Sequence, residues 1–153
     1  KETKILLSGL SMGAATVLMS ADVGLPANVK GIVADCPYSS PKEILHTVMK
    51  ALRFPVAPTY WLAKWSARII GKFDLEEASA VKAIKNSDIP ILIIHGDDDR
   101  FVPCEMSKAC RDAACDRVEL VLVKDAGHGM SYFVDKDVYQ ETIVRFLKKV
   151  LEM

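Results

Sequence analysis

The sequence predicts an α/β fold in which a mostly parallel sheet of about four strands is flanked by helices. Short apolar runs alternate with longer amphipathic stretches along the chain, as they do in consecutive strand-helix units. Half of the 153 residues are hydrophobic and 26% are charged, a composition typical of a globular protein. No internal repeat or low-complexity tract interrupts this pattern. Residues 1–153 are therefore expected to form a single domain of the α/β class.

Four short apolar runs are predicted to be the strands. They are Lys4 to Ser8, Val29 to Asp35, Pro90 to His95 and Val118 to Val123. Each run has strand length, and glycine, proline or polar residues bound it. Since a helical stretch follows each of the first three, the strands are expected to run parallel.

Amphipathic stretches from Met12 to Ala21, Pro103 to Cys115 and Asp135 to Leu151 are predicted to be helices between and after the strands. A longer helical region, residues 41–86, follows the second strand and is broken by prolines and a glycine. We interpret it as a helical insert. Its large apolar side chains fit a cap over an acyl or side-chain pocket as well as they fit helices packed on the sheet.

Charge and hydropathy exclude several classes of partner. Lys plus Arg and Asp plus Glu both number 20, so no net charge attracts nucleic acid or an anionic membrane. No apolar run reaches the ~18 residues of a membrane span. A small, neutral molecule is the expected partner. The sequence carries no leader pattern, so a cytoplasmic location is expected unless residues upstream of Lys1 hold a leader or an anchor.

The cysteines and histidines show no spacing typical of a metal site. No Cys-x-x-Cys pair occurs, and the three histidines are scattered, so neither a metal nor a cofactor is predicted. We expect the cysteines to be reduced and mostly buried thiols; they are Cys36, Cys104, Cys110 and Cys115.

A candidate nucleophile lies between the first strand and the first helix, where Gly9-Leu10-Ser11-Met12-Gly13 has the form G-x-S-x-G. A serine on such a tight turn presents its hydroxyl above the sheet, and side chains at both glycine positions are expected to collide there. Because a helix begins after Ser11, the backbone N–H of Met12 is the expected oxyanion donor. An ordinary serine in a glycine-lined turn is the alternative explanation.

A candidate base and a candidate acid follow the last two strands. His128 lies between two glycines just after the fourth strand, and the loop after the third strand contains Asp99. Asp99 is the expected partner of His128, while Asp35, at the end of the second strand, is the alternative acid. His95 is expected to have a structural hydrogen-bonding role, and His46 is assigned no function.

The chain order Ser11, Asp99, His128 is the order of the Ser-Asp-His triad in α/β-hydrolases. The segments Gly-Leu-Ser-Met-Gly, His-Gly-Asp-Asp-Asp-Arg-Phe-Val-Pro and Ala-Gly-His-Gly resemble the elbow, acid loop and histidine loop of that superfamily. The sequence is most similar to its serine aminopeptidase-like and esterase-like hydrolases of bacteria. The resemblance implies a serine hydrolase that cleaves a carboxylic ester or small amide through an acyl-enzyme. Tyr38 and Ser39 are candidates to border its pocket.

The sequence departs from the α/β-hydrolase pattern because only ten residues precede Ser11. The resemblance therefore implies the carboxyl-terminal half of the fold. The second oxyanion donor then lies outside this sequence, so the chain alone is expected to be impaired. The first strand should also expose an edge, through which a homodimer could form.

Two other functions stay open. One is a non-catalytic ligand-binding module with the α/β-hydrolase fold, and the other is lyase or haloperoxidase-like chemistry on the same triad.

Overall fold

The structure, a computed structural model that describes residues 3–151, contains a sheet of four parallel strands in the order β1-β2-β3-β4. The strands are β1 Ile5–Leu10, β2 Val29–Asp35, β3 Ile91–Gly96 and β4 Val118–Val123. The predicted α/β class is confirmed, and β2 and β4 have the predicted bounds. β3 begins after Pro90, which has no backbone N–H to donate to a neighbouring strand.

Seven α-helices connect and flank the strands among the described residues. They are α1 Met12–Met19, α2 Pro41–Ala51, α3 Val56–Ser66, α4 Ala80–Lys85, α5 Glu105–Asp112, α6 Ser131–Val134 and α7 Lys136–Leu151. A 3₁₀ turn at Ser20–Asp22 extends α1, and a π-helical turn at Ala67–Gly71 extends α3. None of the helices within residues 3–151 is long and apolar enough to cross a membrane.

The helices pack on both faces of the sheet, so the central strand β3 is buried along its whole length. On one face Ile93 packs in a core cluster with Leu18 of α1, together with residues of α4 and α5. On the other face Leu92 and Ile94 pack with Phe146 of α7. This two-sided burial explains why β3 reads as a continuous apolar run rather than an alternating one.

The helical region 41–86 consists of two parts with different burial. Ser79 caps α4, since its side chain accepts a hydrogen bond from the N–H of Lys82 at 3.3 Å, and α4 buries Ala83 and Ile84 in the core. By contrast, α3 and the π-helical turn bury no residue. Many of the large apolar side chains of this region, such as Trp61 and Trp65, therefore lie on the surface.

The carboxyl ends of the four parallel strands lie at one edge of the sheet. Ser11 directly follows β1, and Cys36 directly follows β2. The segment 97–104 follows β3, and the segment 124–130 follows β4. Because ligands of open α/β sheets bind outside these ends, the fold gathers the candidate residues on the expected side.

Candidate active site

Ser11 occupies a strained turn between β1 and α1. Its φ of 53° and ψ of −112° lie in a region that non-glycine residues rarely adopt, and its N–H donates to the carbonyl of Asp35 at 2.8 Å. A Cβ at Gly9 would lie 2.3 Å from the backbone carbon of Gly13, so Gly9 cannot carry a side chain without a backbone shift. At Gly13 a Cβ meets no described atom within 4 Å. The expectation that both glycines avoid a collision is therefore wrong for Gly13.

His128 connects Ser11 to Asp99. Its Nε2 lies 2.8 Å from the Oγ of Ser11, and its Nδ1 lies 2.7 Å from Oδ2 of Asp99. The three side chains come from the turns after β1, β3 and β4, and they form one continuous row of hydrogen bonds. The imidazole is 27% exposed, so solvent reaches it.

The Asp99 carboxylate is buried and held by several donors. Oδ1 accepts hydrogen bonds from the backbone N–H groups of Phe101 at 2.9 Å and Val102 at 2.8 Å. Asp97 and Asp98 are exposed and turn elsewhere, as Asp98 pairs with Arg100. Only Asp99 of the three acidic neighbours faces His128. The two backbone N–H groups therefore fix the orientation of the Asp99 carboxylate.

His95 supports Asp99 from inside the core. Its Nε2 lies 2.9 Å from the carbonyl oxygen of Val102 and 3.2 Å from Oδ2 of Asp99, and both oxygens are acceptors. Nε2 must therefore carry the proton, and Nδ1 accepts from the hydroxyl of Ser107 at 2.6 Å. Burial lowers the pKa of His95 below its usual 6.5, which favours this neutral form. The arrangement fits the structural hydrogen-bonding role expected from the sequence.

Asp35, the alternative acid, points away from this row. Its Oδ2 accepts from the hydroxyl of Tyr139 at 3.0 Å, and its Oδ1 has no hydrogen-bond partner within residues 3–151. Burial raises the pKa of the Asp35 carboxyl above its ordinary value. The structure thus brings Asp99, and not Asp35, into hydrogen-bonding distance of His128.

The remaining candidates occupy less central positions. Met12 is the first residue of α1, so its N–H belongs to the first turn, where the N–H groups have no intrahelical acceptor. Ser39 is buried and lines a cavity between α2 and α5 that does not include Ser11, Asp99 or His128. Tyr38, its neighbour, is half-buried.

Two neighbours of the row gave no signal in the sequence. The ring of Phe101 packs edge-on against His128, with 5.1 Å between ring centroids. Cys36 has a φ of 45° and is fully buried beside the row. Only the folded arrangement of the loops reveals these contacts, because both residues are distant from His128 in the chain.

Cys36, Asp99 and His128 form a group that could hold a metal ion, since one ligand atom from each lies within 4.8 Å of the others. Cysteine spacing could not predict it, because the three residues belong to three different loops. Burial and the neighbouring Asp35 carboxylate raise the pKa of the Cys36 thiol to about 12, although backbone hydrogen bonds from Ser11 and Gly129 lower it. All four cysteines are free, and three of them are buried.

Residues 1–153 match the sequence model of the prolyl oligopeptidase family, Peptidase_S9. The chain belongs to this family. It is accordingly a member of the α/β-hydrolase superfamily, as the resemblance of its three motifs implied.

Known relatives extend well beyond this sequence. The chain is 28% identical over 142 residues to the uncharacterized protein YqkD of Bacillus subtilis (strain 168), which covers 92% of this chain and 47% of YqkD. It is 24% identical to the uncharacterized protein YfhR of Escherichia coli (strain K12) and covers 46% of it. The chain therefore spans about half the length of the curated relatives it matches.

Solved structures share the fold. The Pyrococcus furiosus esterase PF2001 superposes with a TM-score of 0.71 at 21% identity, covering 99% of this chain and 55% of the esterase. The Pyrococcus horikoshii acylaminoacyl peptidase superposes with a TM-score of 0.71 at 17% identity, covering 99% of this chain and 25% of the peptidase. At these identities the superpositions establish the shared fold and leave substrate choice open.

Proposed function

We propose that the protein is a serine hydrolase that cleaves a carboxylic ester or small amide with Ser11, His128 and Asp99. The observation that carries this proposal is the unbroken row from the Ser11 hydroxyl through both ring nitrogens of His128 to the Asp99 carboxylate, with distances of 2.8 and 2.7 Å. These contacts have the lengths and the order that a nucleophile, a base and an orienting acid require.

The reaction then proceeds in two steps. His128 Nε2 takes the proton of Ser11 as its Oγ attacks the carbonyl carbon, and the same proton passes to the leaving alcohol or amine. Water, activated by His128, next breaks the acyl-serine bond and releases the acid. Asp99 holds Nδ1–H throughout, which keeps the lone pair of Nε2 directed at Ser11 and stabilises the imidazolium.

The oxyanion that forms in each step needs hydrogen-bond donors. The N–H of Met12, at the positive end of α1, is the donor we propose within this sequence. The resemblance implies a second donor in residues of a longer chain, and loss of one donor typically costs ~10²–10³ in turnover. We expect a chain extended toward the length of its relatives to hydrolyse a nitrophenyl ester faster than residues 1–153. Equal rates would contradict the proposal of a missing donor.

A non-catalytic binding module is the competing function, and covalent labelling distinguishes the two. A fluorophosphonate probe should modify the protein at one serine, and Ser11→Ala should abolish the modification. Ser20→Ala is the matched control and should leave labelling intact, because the Ser20 hydroxyl bonds to the carbonyl of Val17 and not to His128. Absence of labelling in an unsubstituted chain extended to the length of its relatives would refute the enzyme and favour the binding module.

Assembly and domain arrangement are separate proposals. Among the described residues β1 pairs only with β2, and its outer edge is free to pair with a second copy. We propose a homodimer through this edge, which a monomer mass in light scattering at high protein concentration would contradict. That residues 1–153 form a single domain, in which residues 41–86 are a helical insert or a cap, stays a prediction. A cytoplasmic location stays a prediction as well.

A further inference from the structure

A thiol lies against the proposed catalytic row without a role in it. Cys36 Sγ, one carboxylate oxygen of Asp99 and one ring nitrogen of His128 all lie within 4.8 Å of one another. Backbone groups of Ser11 and Gly129 lie close enough to the Cys36 thiol to lower its pKa, so Cys36 lies between the turn that carries the serine and the loop that carries the histidine. Burial of Cys36 is complete, while the half-buried imidazole borders solvent.

This ligand set suits a borderline or soft divalent cation. Zn²⁺ binds thiolate, imidazole and carboxylate together, usually with tetrahedral geometry, at about 2.0–2.3 Å from each ligand atom. Two ligands of one such ion lie about 3.3–3.8 Å apart, which follows from these bond lengths. To reach this range, separations of up to 4.8 Å must shorten, while the 2.7 Å contact between His128 Nδ1 and Asp99 Oδ2 must open if those two atoms are the ligands. Mg²⁺ and Ca²⁺ are disfavoured because they prefer oxygen ligands.

We propose that Cys36, Asp99 and His128 form an inhibitory site for Zn²⁺ and similar thiol-binding cations. On binding, the Cys36 thiol releases its proton to solvent and the thiolate, the carboxylate and one imidazole nitrogen each donate a lone pair to the ion. Water supplies the fourth ligand from the exposed side of His128. No bond to carbon is made or broken, and no group is oxidised.

Binding of the cation to either ring nitrogen of His128 prevents the reaction. A cation on Nε2 occupies the lone pair that must accept the Ser11 proton. A cation on Nδ1 forces the remaining ring proton of neutral His128 onto Nε2, which then donates to Ser11 and cannot deprotonate it. The bound cation therefore removes the general base.

Binding can be measured without any catalytic activity, using Cd²⁺ as the probe. A cadmium-thiolate bond absorbs in the ultraviolet, and Ser11→Ala keeps all three ligands, so this inactive variant should show the absorption. Cys36→Ser and His128→Ala, introduced separately, should each abolish it. Cys115→Ser, which removes the exposed thiol, should leave it unchanged. Persistence of the absorption in both Cys36→Ser and His128→Ala, or its loss only in Cys115→Ser, would overturn the site.

Inhibition rests additionally on the proposed hydrolase function. The rate with Zn²⁺ divided by the rate without it is compared within each variant, so that differences in basal rate cancel. Cys36→Ser should raise the half-inhibitory Zn²⁺ concentration on the order of 100-fold, since even outer partners of a metal site change affinity by about 10–100-fold. Cys115→Ser should not shift it. An equal half-inhibitory concentration in Cys36→Ser and the unsubstituted protein would refute inhibition through Cys36, whereas a chain extended to the length of its relatives that binds Cd²⁺ but hydrolyses no ester would refute only the proposed hydrolase.

Discussion

Gly9→Ala is expected to destabilise the protein, whereas Gly13→Ala is expected to leave its stability unchanged or slightly raise it. The two glycines occupy equivalent places around Ser11 in the G-x-S-x-G sequence, and the same single methyl group is added at each. At Gly9 the new Cβ lies 2.3 Å from both the carbonyl carbon and the oxygen of Gly13, whereas ordinary contacts begin at 3.4 Å. At Gly13 it meets no described atom within 4 Å.

The magnitude follows from what can move. The atoms that Gly9→Ala strikes belong to the backbone of α1, and α1 is fixed because Ala14 and Ala15 are completely buried against the sheet. Overpacking of this kind typically costs about 1–3 kcal/mol, and backbone contact places Gly9→Ala at or above the upper value. In Gly13→Ala the helix loses a glycine from its first turn, which stabilises it by up to about 1 kcal/mol.

Urea denaturation followed by circular dichroism measures both changes. With a urea dependence of about 1–3 kcal/mol/M, Gly9→Ala should lower the midpoint by about 1 M or more, and Gly13→Ala should leave it unchanged or slightly raise it. Equal destabilisation by the two substitutions would refute the steric argument. Such a result would indicate that both glycines are needed for the backbone conformation of the turn and not for the space around it.

Three further substitutions test individual groups around the site. Asp99→Asn should lower kcat for an ester substrate by about 10³–10⁴-fold, because the amide disturbs the tautomer of the His128 imidazole. Asp98→Asn is the control and should leave kcat unchanged. Similar losses of kcat in both variants would contradict the assignment of Asp99 as the acid. Because its pKa is lowered in the folded protein, neutral His95 contributes to stability above pH 6.5, and this contribution is lost as the pH falls through the lowered pKa. In His95→Gln, the free energy of unfolding should therefore decrease less steeply as the pH falls below 6.5. An unaltered pH profile in urea titrations would argue against that contribution. Tyr139→Phe removes the hydroxyl that donates to Oδ2 of buried Asp35 and should cost about 1–3 kcal/mol. A denaturation midpoint equal to that of the unsubstituted protein would show that water replaces the hydroxyl.

Local sequence pattern was sufficient for the positions of the main elements. A mostly apolar run of strand length, bounded by polar residues, glycine or proline, is typical of a strand. This is why β2 and β4 were predicted with their observed bounds and β3 within one residue, whereas β1 extends two residues beyond its predicted end at Ser8. The motif between β1 and α1 likewise identified the turn at Ser11, because strand, glycine, serine and helix follow one another within a few residues. Helix ends were predicted less closely, as in α5, which is shorter than the predicted stretch from Pro103 to Cys115.

The choice between Asp35 and Asp99 illustrates what required the folded chain. Both carboxylates follow buried strands, so composition and spacing left both as candidates for the acid. In the structure the loop after β3 directs Asp99 at His128, while Asp35 turns to Tyr139, a residue 104 positions away in the chain. No local signal encodes which of two neighbouring loops points inward.

By itself, the sequence determined the class of fold, its strands and the three turns that bear a hydroxyl, an imidazole and a carboxylate, because these depend on residues close together in the chain. Tertiary structure alone decided which side chains meet: the tautomer of His95, the difference between Gly9 and Gly13, and the position of Cys36 beside Asp99 and His128. Those outcomes depend on how parallel strands set four distant loops against one another. The distances between side chains of different loops at the carboxyl ends of the strands are set by packing, and the spacing of residues along the chain does not specify them.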